Sequence, residues 1–327
     1  MLLSPLLRVL PRGGAILCFH GIRTGGQPDG GGIHIDAARF ADVLALARDV
    51  ATVVPLAALV KRHTEGRGTS GLLAITFDDA CLSVQAVAAP LLRASDAPAT
   101  IFAVRQAAET GGAYWWDRLS LLEGSLTEEE WTRFGDAVGL RDTASEGRAA
   151  RARDAIVVQH LGALPDAADR VLAVAEGRLG PGPLYDRSMT TGELVELARD
   201  PRFDIGVHTV THRALPLLSD AEVHHEVADC HAWLLEEVRT PLPLLAIPYG
   251  LRDDRTQRIA RAAGMEDVLR IAPRTVSRGT TATGYPRFMV SERRSGWKLG
   301  AGLVGLQEMA RMLGVRSGPD DPVMPAS

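Results

Sequence analysis

Short apolar runs alternate with longer helical patterns along most of the 327-residue chain. The apolar runs have the length of buried strands and lie at residues 15–19, 51–54, 72–77, 99–104, 204–207, 244–247 and 267–271. Helical segments between them include 36–48, 82–94 and 220–238, and the last opens with a capping box, Ser219 with Glu222. This alternation is typical of βα units and predicts one α/β domain, a (β/α) barrel of seven or eight strands.

The alternation stops between about residues 106 and 186. This segment favours helix, carries capping signals at Ser125 with Glu128 and at Thr127 with Glu130, and ends in the helix breaker GPGP at 180–183. We therefore expect a helical insertion within a single domain that spans residues 1–327. The C-terminal residues 314–327 are rich in Pro, Ser and Asp and predict a flexible tail.

Composition and charge exclude several classes of protein. Hydrophobic residues make up 46% of the chain and charged residues 23%, as in ordinary folded domains. The 36 basic and 40 acidic residues give a formal net charge of −4 with no long run of either sign, so we expect no nucleic-acid partner. No apolar stretch is long enough to predict a transmembrane segment. Without a clear export signal, and with three widely spaced cysteines, the chain is expected to be cytoplasmic.

Two adjacent carboxylates follow the predicted strand at 72–77. Asp78 and Asp79 would stand at the carboxyl end of a parallel strand, where barrel enzymes keep their catalytic groups. The alternative is that one of the two aspartates only caps the helix that begins near Cys81. Taken alone, the pair leaves both interpretations open.

Two further strands end in residues that could carry chemistry. The strand at 204–207 leads into His208 and His212, whose i, i+4 spacing can place both imidazoles on one side of a helical turn, close enough to share a divalent metal ion. With nine histidines in the chain, this spacing can also arise by chance. The HExxH glutamate is absent, which makes Asp78 the candidate base. The strand at 244–247 ends in Pro-Tyr-Gly at 248–250, which could line a pocket or form an ordinary turn.

Together, these segments resemble the motifs of the NodB-type polysaccharide deacetylases, carbohydrate esterase family four. The family motifs are TFDDG, H(S/T)xxH and RxxPYG or its variant FAYPYG, and this chain has, in that order, TFDDA at 76–80, HTVTH at 208–212 and AIPYG at 246–250. The resemblance extends to CFHGI at 18–22 and YPR at 285–287. It covers roughly residues 13–105 and 187–295.

The resemblance implies a distorted (β/α) barrel that holds one divalent ion, usually zinc, with cobalt, nickel or manganese as alternatives. The implied ligands are Asp79, His208 and His212, with one coordination position left open for water. Asp78 would act as general base toward the metal-activated water. The backbone N–H of Tyr249 would help to stabilise the oxyanion formed when water attacks the acetamide.

The chain departs from the family pattern at residues with implied roles. Ala80 stands where the first motif has Gly, and Ala246 stands where many members have the arginine that orients the base. We expect Arg287 to replace that arginine. Many members also use a late histidine as general acid, but the last histidine here is His231. We expect His20, after the first strand, to protonate the departing amine instead.

The insertion is a further departure from compact family members. Its segment YWWDR at 114–118 could bring Trp115 and Trp116 into a glycan groove, or could anchor a helix through buried aromatic rings. The remaining histidines lie in predicted loops or helices and are expected at the surface: His34, His63, His160, His224, His225 and His231.

These observations predict a metal-dependent hydrolase that removes N-acetyl groups from an N-acetylhexosamine-containing glycan or lipid-linked saccharide. A deformylase, an imidase or an O-acetyl esterase would use similar chemistry on the same scaffold. A non-catalytic glycan-binding barrel with a structural metal is the alternative outside the enzymes. Retention of Asp78, which is not needed as a ligand, argues against that alternative. The oligomeric state is left open.

Overall fold

The structure is a computed structural model that describes residues 13–25, 32–140, 147–179, 186–238, 240–277 and 280–291. The predicted tail at 314–327 lies outside the described residues, as does the GPGP segment at 180–183. The strands are β1 (Ala15–Phe19), β2 (Ile22–Arg23), β3 (Ile35–Asp36), β4 (Thr52–Val53), β5 (Leu72–Phe77), β6 (Ala99–Ala103), β7 (Phe203–Val207), β8 (Leu242–Ala246), β9 (Asp267–Ile271) and β10 (Tyr285–Met289).

Seven parallel strands close into a barrel in the order β1-β10-β9-β8-β7-β6-β5, and β5 pairs with β1 to complete the ring. The extra strand β4 pairs with the first residues of β5, and β2 and β3 form a separate two-stranded sheet. The predicted α/β fold class, a (β/α) barrel, is confirmed. Closure brings the carboxyl ends of all seven strands to one face.

The membership of the barrel differs from the prediction at one strand. The predicted strand at 51–54 forms only the two-residue β4, outside the ring. The seventh barrel strand is β10, which pattern analysis did not identify as a strand. Pro286 and Arg287 lie in its centre and interrupt the apolar pattern, although the strand is buried.

Alternation along the strands builds two apolar layers. One set of side chains packs in a cluster inside the ring and includes Ile16, Phe102, Leu244, Leu269 and Tyr285. The neighbouring positions point outward into the larger core beneath the helices. Both faces are therefore buried, which explains why these strands are nearly continuous apolar runs. The carboxyl ends of the strands lie directly above this inner layer.

The helices are α1 (Ala37–Val50), α2 (Leu56–Thr64), α3 (Ala89–Ala94, preceded by a π-turn at Val84–Ala88), α4 (Arg105–Thr110), α5 (Trp115–Leu122), α6 (Glu128–Val138), α7 (Arg148–Gln159), α8 (Asp166–Leu179), α9 (Thr191–Ala198), α10 (Asp220–Glu237), α11 (Asp254–Ala262) and α12 (Thr280–Thr283). No helix within the described ranges has both the length and the apolar character that a membrane span requires.

Helices α5 to α8 occupy the segment for which an insertion was predicted, and they pack around a core of their own that includes Trp131, Phe134 and Leu172. Thr127 caps α6 through a capping box with Glu130, whereas the alternative cap at Ser125 is wrong because the helix begins three residues later. The box predicted at the start of α10 is present. The insertion is thus a compact helical layer that lies between β6 and β7 in the chain.

Candidate active site

The loops that follow the barrel strands surround one cavity of about 370 Å³. It has the size of a small-molecule site. Its lining brings together most of the residues to which the sequence assigned a role: His20, Asp78, Asp79, Trp115, Trp116, His208, His212 and Tyr249. Arg287 lies beneath this set, fully buried in β10.

The Asp79 carboxylate faces both histidines of the second motif. Asp79 Oδ1 lies 3.3 Å from His208 Nε2 and 3.4 Å from His212 Nε2. All three side chains are buried. His208 Nδ1 donates to the carbonyl of Ala246 at 2.7 Å, which leaves Nε2 as the ring nitrogen with a free lone pair. Burial lowers the pKa of His212 to about 3, so this imidazole is neutral near pH 7. Burial also acts to lower the pKa of His208, but the charges of Asp78 and Asp79 outweigh it and raise the pKa, so the lone pair of its Nε2 is free only in the neutral ring.

This arrangement fits a single metal ion. Oxygen and nitrogen ligands at about 2.0–2.1 Å from a tetrahedral ion stand about 3.3–3.4 Å apart, which is the spacing of the two histidines from Asp79. Asp79 Oδ1 is buried and accepts no hydrogen bond of good geometry among the described residues, and His212 Nδ1 also lacks a partner there. Buried polar atoms normally have partners. A cation bound at this point would satisfy the Asp79 oxygen.

The backbone of the motif loops is shaped by left-handed residues. Asp79 has φ 68°, Ala80 48°, Thr209 73°, His212 59° and Tyr249 57°. Non-glycine residues adopt such angles only where the surrounding structure holds them, and functional sites are where they cluster. Residues 208–212 form a bent loop and not the helical turn that the i, i+4 spacing would allow. Its left-handed residues, rather than helical spacing, bring the imidazoles together.

A buried glutamate that sequence analysis missed holds this loop. Glu226 of α10 accepts the N–H groups of Val210 and Thr211 at 2.9 Å each, and it also accepts the Thr211 hydroxyl. The only signal in the sequence was its place on the apolar stripe of α10, between Val223 and Val227. A charged residue on such a stripe indicates a specific partner.

Asp78 is bound by Arg287 from inside the barrel. Arg287 Nη1 donates to Asp78 Oδ1 at 2.6 Å and Nη2 donates to Oδ2 at 2.7 Å, so the contact is bidentate. Burial raises the pKa of Asp78, but the guanidinium charge and its hydrogen bonds outweigh burial, and the pKa lies well below the ordinary range. Asp78 is therefore held ionised and in one orientation.

A cysteine without a predicted role completes the surroundings of Asp78. The buried Cys18 thiol donates to Asp78 Oδ2 at 3.4 Å, and burial raises the pKa of this thiol, so it remains a protonated donor. Cys18 is the next inward position after Ile16 in β1, and His20 directly follows the strand and lines the cavity. A ring nitrogen of His20, the Cys18 sulfur and an Asp78 oxygen lie within 4.8 Å of one another.

His20 reaches the cavity as predicted, but with altered chemistry. Burial lowers the pKa of His20, so the ring is mainly neutral near pH 7. Its Nδ1 is buried without a hydrogen-bond partner among the described residues. An imidazole in this state would have to gain its proton during the reaction before it could protonate an amine.

Aromatic rings form one wall of the cavity. Trp116 lies against His212 with ring centroids 4.8 Å apart, and it stacks on Tyr114 at 4.5 Å. The Tyr114 hydroxyl donates to the carbonyl of Asp79 at 2.7 Å. Trp115 is only half-buried. Trp116 therefore lines the cavity from a buried position and Trp115 lines it from a half-buried one, while a role of either ring in binding a glycan stays a prediction.

One of the histidines expected at the surface is buried. His34 is 3% exposed, and its Nε2 lies 3.3 Å from Asp117 Oδ1 of α5. The prediction is wrong because the segment before β3 is covered: Ile33 packs against the cluster formed by Val104, Tyr114 and Trp116. The other five histidines are exposed or half-buried.

The fold and the site define a class of protein: a closed (β/α) barrel whose strand ends carry an Asp-His-His group beside an ionised, arginine-bound aspartate. Comparison with known families gives a match over part of the chain. Residues 174–268, which contain the second and third motifs, match the family model described as polysaccharide deacetylase. No curated protein matches the chain significantly.

Several solved structures share the fold over most of the chain. The deacetylase PplD of Streptococcus pyogenes, solved with acetate, is 14% identical and has a TM-score of 0.59, with 90% of this chain and 99% of that chain covered. IcaB from Ammonifex degensii is 19% identical, with a TM-score of 0.58 and coverages of 89% and 97%. BA0330 of Bacillus anthracis, described as a putative polysaccharide deacetylase, is 12% identical, with a TM-score of 0.55 and coverages of 90% and 69%.

At these identities, the structural likeness concerns the fold. Together with the family match, it confirms the resemblance to polysaccharide deacetylases that the three motifs indicated. The roles of individual residues rest on the geometry of this chain.

Proposed function

We propose that the protein is a metal-dependent hydrolase that removes N-acetyl groups from an N-acetylhexosamine-containing glycan or a lipid-linked saccharide. The observation that carries the proposal is that candidate metal ligands and a candidate base meet in one cavity. Asp79, His208 and His212 converge with metal-ligand spacing, and the ionised Asp78 lines the same cavity. The family match and the shared fold support this chemistry.

Asp79 and the Nε2 atoms of the two histidines would hold the ion. When bound there, zinc or another divalent ion supplies Lewis acidity toward water and the amide carbonyl. Asp78 accepts a proton from the attacking water, and the Arg287 fork keeps the accepting oxygens in place. Because this arginine also lowers the pKa of Asp78, it makes the base weak, and the reaction depends on a water that has become acidic.

The other residues act on the substrate. The backbone N–H of Tyr249 is assigned to the oxyanion, since Tyr249 lines the cavity at the end of β8. His20 is assigned to the departing amine. Its neighbour Asp78 is the nearby group from which a neutral imidazole could receive the proton taken from water. The amine would then leave in neutral form with acetic acid as the second product, which becomes acetate by releasing its remaining proton to the solvent.

The place of Asp78 favours an enzyme over a glycan-binding barrel. A barrel that only held a structural metal would have no use for a second carboxylate that lines the cavity and is fixed by a buried arginine. Leaving such a pair in the interior costs desolvation energy that burial of apolar residues would avoid. We therefore assign the pair to proton transfer.

The test is acyl release by the full-length protein from a panel of substrates. The panel contains N-acetylglucosamine oligosaccharides, an N-formylated sugar, a cyclic imide and an O-acetyl ester. We expect acetate from the N-acetylated saccharides, loss of this activity after chelation, and its return when zinc or cobalt is added. The Asp78→Asn variant, purified in the same way, excludes a contaminating hydrolase.

Other outcomes would replace the proposal. Formate release without acetate release would indicate a deformylase, and hydrolysis of only the imide or the ester would indicate an imidase or an esterase. Full activity after complete removal of metal would contradict metal dependence. Saccharide binding without hydrolysis of any substrate by the metal-loaded protein would indicate the glycan-binding barrel.

A further inference from the structure

The insertion supplies part of the wall of the active-site cavity. Three residues of α7, Arg153, Asp154 and Val157, line the cavity that also contains Asp79 and the two histidines. The opposite face of the same helix, with Ala152 and Ile156, packs into the insertion core. An amphipathic helix with one face in a core therefore presents its other face to the substrate space.

The end of α7 is attached to the loops of the second and third motifs. In the turn after the helix, the carbonyl of Leu161 accepts the N–H of Ala214 at 2.8 Å. The carbonyl of Gly162 accepts both Trp115 Nε1 at 3.0 Å and the Tyr249 hydroxyl at 3.2 Å. These bonds join the insertion to the barrel next to the candidate metal site. The position of α7 relative to the catalytic residues is thus defined.

Arg153 is a cation without a protein partner in the part of the chain that the structure describes. Its Nε is buried and has no hydrogen bond there, and no described carboxylate lies within ion-pair distance of its guanidinium. Three other arginines of the insertion are each paired with a glutamate: Arg118 with Glu176, Arg148 with Glu128, and Arg178 with Glu130. Arg153 as a whole is half-buried, so the cost of a buried donor without an acceptor falls on its Nε, and we take a ligand as the candidate acceptor.

We propose that Arg153 binds an anionic group of the substrate, a phosphate or a carboxylate carried by the N-acetylated saccharide. This inference rests on the proposed function and deepens it by naming the substrate class. A guanidinium forms paired, charge-assisted hydrogen bonds with either group. Arg287, buried beneath the cavity, already neutralises Asp78.

The size of the cavity agrees with such a substrate. At about 370 Å³ it lies near the lower end of the range for small-molecule sites. A sugar unit that carries its own charge fits this volume. Asp154, exposed on the same helix face, adds a nearby negative charge. Asp154→Asn should therefore strengthen anion binding modestly.

The experiment compares three probes: N-acetylglucosamine 1-phosphate, N-acetylmuramic acid and neutral N,N′-diacetylchitobiose. Acetate release is measured with the wild type, Arg153→Gln, Arg153→Lys and the matched control Arg170→Gln. Arg170 is an exposed arginine of α8 that does not line the cavity. We expect Arg153→Gln to lower kcat/KM by about tenfold or more on an anionic probe, mainly through KM, because a charge-assisted hydrogen bond is lost.

On the neutral probe, Arg153→Gln should be nearly unchanged, and Arg170→Gln should be unchanged on all three probes. Arg153→Lys keeps the charge but loses the fork, so its activity should lie between those of the wild type and Arg153→Gln. A preference for the phosphate over the carboxylate probe, or the reverse, identifies which anion the site takes. The difference in kcat/KM between the wild type and Arg153→Gln on an anionic probe should become smaller at high salt.

Equal activity of the wild type on neutral and anionic probes, or equal loss on both in Arg153→Gln, would overturn the inference while the proposed function stands. If no probe releases acetate, the proposed function fails, and calorimetric binding of the same probes decides the inference separately. The inference is supported if the anionic probes bind more tightly than the neutral probe and lose this advantage only in Arg153→Gln. It is overturned if the affinity for the anionic probes is the same in the wild type and in Arg153→Gln.

Discussion

The contact between Asp78 and Arg287 determines how the proposed base can work. Both side chains are buried, and the guanidinium holds both carboxylate oxygens. Arg287 also receives support from Thr76, whose Oγ1 lies 3.3 Å from its Nη1. The arginine therefore fixes the orientation of Asp78 but makes it a weaker base. Asp78 stays ionised near pH 7 and binds a proton weakly.

Replacing Arg287 should affect both catalysis and folding without removing the metal. Arg287→Met leaves the Asp78 charge buried without its partner, which destabilises a fold by about 3–5 kcal/mol. We expect a lower kcat and an unchanged metal content. The double variant Asp78→Asn/Arg287→Met has no buried charge at this point. Its free energy of unfolding should therefore be higher than that of Arg287→Met alone.

Denaturant unfolding and metal analysis of the two variants check this prediction. Arg287→Lys serves as the control that keeps the charge but not the fork, and its kcat should exceed that of Arg287→Met. Equal stability of Arg287→Met and the double variant would show that the pair is not coupled. Loss of metal from Arg287→Met would show that the arginine supports the ligands instead.

His20 provides a second prediction at the scale of single residues. An amine is a poor leaving group until it is protonated, whereas the phenolate of an activated ester leaves without help. His20→Ala should therefore depress amide hydrolysis strongly and spare p-nitrophenyl acetate. If both substrates slow equally, His20 has a structural or substrate-binding role, and the amine must be protonated by another group.

At the scale of elements, the turn between α7 and α8 connects the insertion to the site. Gly162 has φ 85°, and a Cβ at this position would lie 2.7 Å from the Tyr249 hydroxyl and 2.8 Å from its Cε2. Only glycine satisfies both the backbone angle and this close approach. The turn thereby holds the ring of the residue whose backbone N–H is assigned to the oxyanion.

Gly162→Ala should displace Tyr249 and lower kcat, with little effect on metal content. The matched control is Gly177→Ala in α8, where a Cβ meets no atom within 4 Å and alanine favours the helix. The variants are compared by steady-state kinetics and metal analysis. Unchanged kcat in Gly162→Ala would mean that the insertion does not position Tyr249, and a similar loss in Gly177→Ala would point to general disturbance of the insertion.

The elements that the sequence predicted are those with a local pattern. Six of the seven apolar runs form barrel strands, because both faces of these strands are buried and their sequences are nearly continuous apolar runs. Strand β10 lacks that pattern because its inward position carries Arg287 for Asp78 rather than an apolar side chain. The turn at Gly162 left no local signal, since its partners Trp115 and Tyr249 are distant in the chain.

At the scale of the whole molecule, barrel closure explains why so much of the site could be placed from sequence. Residues at the carboxyl ends of β1, β5, β7 and β8 must meet on one face, which brings His20, Asp78, His208 and Tyr249 together. Contacts between the helical insertion and the barrel could not be predicted from the sequence. The packing of α7 against the cavity depends on how the insertion folds as a unit, and no local pattern predicts it.

The central claim is that neighbouring aspartates divide the work, with Asp79 as a metal ligand and Asp78 as the base. The most direct measurement is the metal content and the turnover of Asp78→Asn and Asp79→Asn, prepared side by side with the wild type. We predict that Asp78→Asn keeps one ion per chain and loses turnover by roughly 10²-fold or more, whereas Asp79→Asn loses both. Full metal affinity in Asp79→Asn, or equal loss of metal in the two variants, would contradict the account.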